Sequence, residues 1–268
     1  MKKLLFLFMA VPAVYSCSTN AVTGRKQLQL FPESTLQQQA VSQYQSFLNE
    51  NKVVSQNNSR DAEMVKRVGG RIATAITSYY KSRSNPVDLS GYKWEFNLVE
   101  NNEVNAWCMP GGKVVVYSGL LPVTQNEAAL AVVLAHEITH AIAQHGNERM
   151  SQVAIAQGLQ VAGNVFTQNR AQANSIFNNV FGPAASVGVL LPNSRKQEYE
   201  ADRFGLIFTA MAGYNPQEAV PFWERMAAAS GGNKPPTLMS SHPADADRIA
   251  QLKKYMPEAL KYYKPMKR

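Results

Sequence analysis

His136-Glu137-Ile138-Thr139-His140 stands near the middle of the 268-residue sequence, and this stretch decides how the rest of the chain is interpreted. Two histidines four positions apart lie on one face of an α-helix, one turn from each other, so both imidazoles can reach the same metal ion. Glu137 lies on the adjoining surface, where its carboxylate can take a proton from a water that attacks a peptide carbonyl. The stretch therefore predicts a zinc site with His136 and His140 as ligands and Glu137 as the general base.

The surrounding residues predict a buried helix that carries this site. Thr124 and Glu127 have the spacing of a capping box, so we expect the helix to begin at about residue 125. Residues 130–134 are almost wholly apolar, which is typical of a helix inside a core. The helix is expected to reach residue 145, because Gly146 stands where glycine usually follows a helix end.

A catalytic zinc needs a third protein ligand and an open position. The metzincin pattern would place a histidine at position 146, and Gly146 excludes that class. His145 is five residues past His140, roughly 140° round a continuous helix, so it is expected to face away as a capping or surface residue.

A second helix, expected over residues 194–212, offers carboxylates instead. Glu198 and Asp202 are four residues apart and share a face. We assign Glu198 as the third ligand and Asp202 as the acceptor of a hydrogen bond from a ligand histidine, which would fix the ring of that histidine. Glu200 lies on a different face and is the weaker candidate.

Other periodicities place the remaining elements. Apolar spacing predicts helices over residues 34–50 and 61–83. Alternating residues at 92–98 predict a half-buried strand, and residues 105–117 predict a hairpin that turns at Pro-Gly-Gly. The low-charge segment 147–192 is expected to hold one or two helices with a mobile connection. The predicted fold is α+β and predominantly helical, a gluzincin-like zincin with a small β-sheet beside the active-site helix.

The composition indicates a globular protein, with 45% hydrophobic and 17% charged residues. The net charge of +8 is not gathered into a Lys/Arg stripe, and no nucleic-acid motif is evident, so no nucleic-acid partner is expected.

The N-terminus is typical of an export signal. Two lysines precede an apolar run of roughly 11 residues, which is too short to span a membrane. The residues before Cys17 resemble a bacterial lipoprotein signal, which implies cleavage after residue 16 and acylation of Cys17. Domains are therefore assigned as a signal peptide (1–16), a polar tether (17–33) and a peptidase domain (34–268). Cys108, the other cysteine, is interpreted as a core residue.

Several stretches together resemble one peptidase family. They are VTGRKQL (22–28), VKRVGGRIA (65–73), NAWCMPGGKVVVYSGLL (105–121), HEITH, NSRKQEYEAD (193–202) and SHPADADR (241–248). The chain is similar over roughly residues 21–255 to the family that contains the CAAX prenyl endopeptidases, HtpX and the periplasmic BepA-like proteases. In that family the first Glu of the ExEAD stretch ligates zinc and its Asp orients a histidine, which agrees with Glu198 and Asp202.

The resemblance implies three further roles. His242 and Arg248 match a family pair that binds substrate or stabilises the developing oxyanion, and the histidine can occupy the fourth zinc position in a latent state. Asn105 and Ala106 match the strand beside the cleft, where a substrate backbone would pair by strand addition. No membrane span and no helical-repeat domain are evident, so the resemblance is to the small lipoprotein members.

The sequence thus predicts an endopeptidase with one zinc ion per chain, acting on misfolded or unassembled cell-envelope proteins. The acylated Cys17 would hold it at the outer membrane of a Gram-negative bacterium, facing the periplasm. Two alternatives stay open: a zinc-stabilised chaperone or assembly factor closed by His242, and a peptidase kept latent by residues 147–192 acting as a lid.

Overall fold

A computed structural model describes residues 17–83, 87–157, 170–181, 194–229, 236–242 and 246–266. The helices of these residues are α1 (Glu33–Glu50), α2 (Arg60–Lys81), α3 (Leu121–Thr124), α4 (Glu127–Ile142), α5 (His145–Ala156), α6 (Arg170–Phe181), α7 (Arg195–Met211), α8 (Ala219–Ala229), α9 (Thr237–Ser241) and α10 (Ala246–Leu260). The strands are β1 (Cys17–Thr19), β2 (Lys26–Leu28), β3 (Glu95–Val99), β4 (Ala106–Met109) and β5 (Lys113–Tyr117). Short 3-10 turns span Gln56–Asn58, Ser118–Leu120 and Pro216–Glu218.

Three strands form the small sheet, in the order β3-β5-β4. β5 pairs parallel to β3 and antiparallel to β4. The predicted hairpin is confirmed: Gly111 and Gly112 join β4 to β5 with φ of 78° and 82°, a conformation that favours glycine. β3 is shorter than the predicted strand, because it begins only at Glu95.

The two faces of the sheet belong to different apolar clusters, as the period-2 alternation of a strand requires. Val114 and Val116 pack into the larger cluster with α2, α4 and α7, while Val115 and Tyr117 pack into a smaller one with α1, α5 and α6. Every residue of α4 from Ala129 to Ile142 is buried. The prediction of a predominantly helical α+β fold with a small sheet beside the HEITH helix is confirmed.

The predicted ends of the HEITH helix are wrong. Asn126 is the N-cap, because its side chain accepts a hydrogen bond from the backbone N–H of Ala129, and Thr124 ends the preceding helix α3. At the other end α4 stops at Ile142, and Gln144 adopts a φ of 53° before α5 begins. Gly146 lies inside α5, where an added Cβ would come within 2.2 Å of the Phe181 ring.

The prediction of a tether over 17–33 is also wrong for the described residues. β1 and β2 pair antiparallel into a hairpin that packs against the folded domain. Asn20 and Gln27 are buried, and their side-chain amides both donate to the carbonyl oxygen of Ala143, at 2.9 and 3.0 Å. Polar residues made this segment look solvated, but their polar groups are satisfied by the protein instead of by water.

The signal peptide assigned to residues 1–16 lies outside the described residues. So do residues 158–169 and 182–192 of the low-charge segment 147–192, whose described parts are mainly helical, in α5 and α6. Within the described ranges, every helix falls short of the length and apolar character needed to cross a membrane.

Candidate metal centre

Four buried side chains converge at one point of the core. His136 and His140 of α4, Glu198 of α7 and His242, just after α9, each offer one ligand atom, and these four atoms all lie within 4.8 Å of one another. The Nε2 atoms of His136 and His140 are 3.0 Å apart. The Glu198 carboxylate lies 3.4 Å from His136 Nε2 and 3.3 Å from His140 Nε2. The three ligands predicted from sequence are therefore brought together.

Local sequence features determine where α7 begins and how closely it packs against α4. Ser194 and Gln197 form a capping box that begins α7, so Glu198 falls in its first turn. One turn of helix beyond Asp202, Gly205 faces α4, where an added Cβ would lie 3.2 Å from the His136 backbone. The missing side chain lets the two helices approach closely, and this closeness brings Glu198 to the two histidines.

The residues fit a zinc ion. Zinc bonds to imidazole nitrogen and carboxylate oxygen are about 2.0–2.2 Å long, so tetrahedral ligand atoms lie about 3.3–3.5 Å from each other. The ligand distances of 3.0–3.4 Å among His136, His140 and Glu198 are close to the edges of that tetrahedron. Nitrogen and carboxylate donors are also the set that zinc prefers.

Asp202 lies where the sequence predicts it, behind a ligand histidine. Its Oδ1 is 3.0 Å from His136 Nδ1, the ring nitrogen that faces away from the ligand cluster. Arg248 donates two hydrogen bonds of 2.8 Å to the same carboxylate, and its guanidinium carbon lies 3.7 Å from the centroid of the Trp223 ring. Arg248 is only 2% exposed and also donates to the backbone oxygen of His242. The Arg248 side chain thus fixes the position of Asp202 and of the backbone at His242.

The charges of the site favour ionised carboxylates. Burial raises the pKa of Glu198, but His242, Arg248 and His140 outweigh it and hold that pKa well below its usual value. Burial likewise raises the pKa of Asp202, and Arg248 and His136 bring it below the usual value. Burial holds the pKa of His140 well below its usual value, which keeps the neutral form that a metal ligand needs.

His136 behaves differently. Burial lowers its pKa, but hydrogen bonds with Asp202 and Glu198 outweigh burial and raise the pKa to about 9. In the absence of a cation this raised pKa favours the doubly protonated ring, and a metal ion that binds Nε2 displaces the proton on that nitrogen.

Glu137, the predicted general base, is 5% exposed and lies at the edge of the cluster. Its Oε1 is buried and makes no hydrogen bond to the described residues, although His242 Nε2 is 3.4 Å away. A buried carboxylate oxygen without a hydrogen bond is costly in a structural role, and it is suited to an oxygen that must accept a proton.

His242 approaches both the ligand side chains and the predicted base, Glu137. Its Nδ1 lies 3.2 Å from His136 Nε2 and 3.0 Å from the Glu198 carboxylate, the positions of a fourth ligand. Its Nε2 is the atom that approaches Glu137.

The predicted substrate strand lies beside the site. Ala106 begins β4, which packs on α4 and, among the described strands, pairs on one side only, with β5. The carbonyl oxygen of Asn105 is used inside the sheet, where it accepts from the Tyr117 N–H at 3.0 Å.

The prediction that His145 faces away is wrong. His145 is fully buried, and its Nδ1 lies 2.9 Å from His140 Nδ1 because the chain turns back at Gln144. Its Nε2 lies 3.1 Å from Glu200, which Arg25 of the N-terminal hairpin binds at 2.6 Å. The chain has only four histidines, and all four lie in or against this centre, a concentration that could have identified His145.

Comparisons with known proteins agree with this geometry. The model of peptidase family M48 matches residues 59–256. The mitochondrial metalloendopeptidase OMA1 of Schizosaccharomyces pombe is 36% identical over 172 residues, which cover 64% of this chain and 49% of that protein. The human metalloendopeptidase OMA1 is 25% identical over 251 residues, which cover 90% of this chain and 46% of that protein. The beta-barrel assembly-enhancing protease of Escherichia coli is 31% identical over 165 residues, which cover 59% of this chain and 33% of that protein.

These relatives are longer than the part that matches. The chain spans about half the length of the two mitochondrial relatives and about a third of the bacterial one.

Proposed function

The chain belongs to peptidase family M48, as the resemblance of its motifs predicted, and from this we propose that it is a zinc-dependent endopeptidase. The observation that carries the proposal is the convergence of His136, His140 and Glu198 beside the Glu137 carboxylate, whose Oε1 makes no hydrogen bond to the described residues. Such a constellation holds one zinc ion per chain and places a proton acceptor next to it.

A zinc ion held there supplies Lewis-acid chemistry: it polarises the peptide carbonyl and lowers the pKa of water. Glu137 takes the proton of the attacking water on its Oε1 and then delivers it to the leaving amine, as a general base and general acid do in turn. Asp202 accepts the Nδ1–H of His136 and so keeps Nε2 free as a ligand. Arg248, through its two hydrogen bonds to Asp202, acts as a positioning residue in this proposal.

The substrates proposed are polypeptides in extended form. β4 lies against α4 and has a free side in the described sheet, which suits strand addition along Asn105 and Ala106. Two relatives are named for mitochondrial proteolysis and one for the assembly of β-barrels. By analogy, we propose that this chain acts in protein quality control, on misfolded or unassembled envelope proteins.

His242 supports a second candidate, a latent form of the same enzyme. An imidazole that approaches two ligand side chains, His136 and Glu198, and the base Glu137 fills the space where a substrate carbonyl must enter. A site closed in this way would hold zinc for stability, and the protein would act as a chaperone or assembly factor until His242 moved.

The location proposed is the outer membrane, facing the periplasm, with Cys17 as the lipid anchor after removal of residues 1–16. Cells grown with labelled palmitate test it. The unmodified chain should carry label, Cys17→Ala should carry none, and Cys108→Ala, which changes the only other cysteine, should keep the label. Label on Cys17→Ala would contradict the anchor.

The activity is tested by Glu137→Gln, which removes the base and leaves the three ligands. We expect one zinc per chain in the full chain and in the variant, with hydrolysis of unfolded casein reduced at least about 10²-fold in the variant. Glu224→Gln, on an exposed position of α8, is the matched control and should retain full activity.

Three results separate the candidates. Zinc in both forms with hydrolysis only by the unmodified chain supports the endopeptidase. Zinc in both forms without hydrolysis by either supports the latent form. A chain that binds no zinc contradicts both.

A further inference from the structure

The two histidines of the HEITH stretch have different partners at Nδ1, the ring nitrogen that does not face the metal site. His136 meets a carboxylate directly, since its Nδ1 is 3.0 Å from Asp202. His140 meets another histidine, because its Nδ1 lies 2.9 Å from Nδ1 of His145. The His145 ring is completely buried, and its Nε2 lies 3.1 Å from Glu200.

Hydrogen-bond chemistry fixes the direction of this chain of contacts. A His140 that offers Nε2 to a metal ion carries its proton on Nδ1, and this N–H donates to Nδ1 of His145. His145 must then carry its own proton on Nε2, because a neutral imidazole has one donor and one acceptor. That N–H donates to Glu200. Each donor from His140 to His145 therefore faces an acceptor, first Nδ1 of His145 and then the Glu200 carboxylate. The negative charge of Glu200 is in this way transmitted through His145 to the metal ligand.

Arg25 of the N-terminal hairpin is the last member of this series of contacts. Nε of Arg25 donates to Glu200 at 2.6 Å, and the two terminal nitrogens of the same guanidinium donate to Glu148 at 2.6 Å each. The side chain of Arg25 is 13% exposed, so these ion pairs are sheltered from solvent. Charge-assisted, bidentate contacts of this kind fix geometry more firmly than exposed pairs do.

The hairpin also holds the turn that makes the contact possible. His145 can meet His140 only because α4 ends and the chain reverses at Gln144. The carbonyl oxygen of Ala143, at this break, accepts hydrogen bonds from the side chains of both Asn20 and Gln27. The hairpin therefore supports the position of His145 at two independent places, through the backbone turn and through Glu200.

We propose that His145, held by Glu200 and by Arg25 of the N-terminal hairpin, is the positioning residue of the metal ligand His140, and that the affinity of the site for zinc depends on it. The proposal rests on the proposed zinc site. It makes the hairpin, which the sequence suggests as a tether, a working part of the metal centre. A residue behind a ligand typically changes metal affinity by about 10- to 100-fold when it is replaced.

Asn and Leu at position 145 provide a matched pair, because the two side chains have nearly the same shape. The Asn oxygen can accept the Nδ1–H of His140, as His145 does, whereas Leu cannot. We would measure the zinc dissociation constant of the full chain by competition with a chromophoric chelator, together with the visible spectrum of the cobalt form. Glu200→Gln and Arg25→Gln probe the outer contacts. Glu258→Gln, which breaks an exposed ion pair of α7 with α10, is the control.

We expect His145→Leu to weaken zinc binding about 10- to 100-fold and to alter the cobalt spectrum. His145→Asn should lose much less than His145→Leu, Glu200→Gln and Arg25→Gln should also weaken zinc binding, with the larger loss in Glu200→Gln, and Glu258→Gln should match the unmodified chain. If His145→Leu does not fold, Glu200→Gln decides, because a zinc affinity equal to that of the unmodified chain would overturn the proposal.

Equal zinc affinity in the unmodified chain and in His145→Leu or Glu200→Gln would overturn the proposal. So would equal losses in His145→Asn and His145→Leu, because the role would then be packing alone. Zinc binding without hydrolysis would count against the proposed activity and leave the affinity comparison intact. An unmodified chain without zinc would overturn both.

Discussion

His242 is the residue whose position most directly determines whether the site can work. Its ring lies against His136 and Glu198 through one nitrogen and near Glu137 through the other. In the proposed latent form, this ring occupies the position that a water and a peptide carbonyl would take. Hydrolysis by that form would require the imidazole to leave the cluster.

Replacing His242 by Ala is expected to raise the hydrolysis of unfolded casein several-fold while one zinc per chain remains bound, because three ligands are enough for a catalytic site. Casein turnover and zinc content of the purified variant would be measured side by side. A matched control is Met239→Ala, which trims a side chain of the same short helix α9 outside the ligand cluster. Unchanged activity with an unchanged zinc site would show that His242 has no part in the reaction.

The ligands could be predicted at this scale because their spacing is local. His136, His140 and Glu137 share one helix, and Glu198 and Asp202 share another, so the geometry of a helix alone gives their mutual positions. His145 could not be placed by the same rule. The rule assumes a continuous helix, and Gln144, with its φ of 53°, breaks that assumption one residue earlier.

At the scale of elements, the sequence predicts the helices and the hairpin better than their ends. The apolar stretch inside α4 indicates a buried helix without ambiguity, but Thr124 and Asn126 are both acceptable N-caps and only packing selects Asn126. The N-terminal hairpin was missed for a different reason. Its buried residues, Asn20 and Gln27, are polar, and both donate to Ala143, just after the end of α4, a distant contact that no local pattern contains.

Two adjacent glycines of α2 allow a test of packing within one element. An added Cβ at Gly69 would lie 2.2 Å from the ring of Phe96, whereas at Gly70 nothing lies within 4 Å. Gly69→Ala should therefore destabilise the protein by about 1–3 kcal/mol through overpacking against β3. Gly70→Ala should stabilise it by up to about 1 kcal/mol, because alanine is the better helix former.

Thermal unfolding of the two variants and of the unmodified chain would measure the difference. A shift of about 2–4 °C is expected for each kcal/mol in a protein of this size, with opposite signs for the two substitutions. Each variant is the control of the other, since both make the same change on the same helix. Shifts of the same sign would contradict the close packing of α2 on β3.

At the scale of the whole molecule, the metal centre joins distant parts of the chain. Its ligands come from α4, α7 and the segment after α9, and the groups behind them come from α5, α7, α10 and the N-terminal hairpin. In the absence of a cation this point of the core gathers four ionisable side chains that repel each other or compete for protons, such as His136 with its pKa raised to about 9. A zinc ion would replace that competition by bonds to His136, His140 and Glu198, which the unfolded chain cannot offer in the same geometry.

Removal of zinc is therefore expected to lower the stability of the entire domain and not only its activity. A ligand present at about 1,000 times its dissociation constant stabilises the folded state by about 4 kcal/mol, which corresponds to a fall in melting temperature on the order of 10 °C when it is removed. The melting temperature would be measured with and without a strong chelator, and again after zinc is restored, which should return it to the initial value. The double variant His136→Ala, His140→Ala should not respond to the chelator, because it lacks two of the ligands on α4. An equal melting temperature with and without zinc in the unmodified chain would mean that the ligands are already held in place by the protein alone, and that the hairpin, α4, α7 and α10 form their contacts independently of the metal.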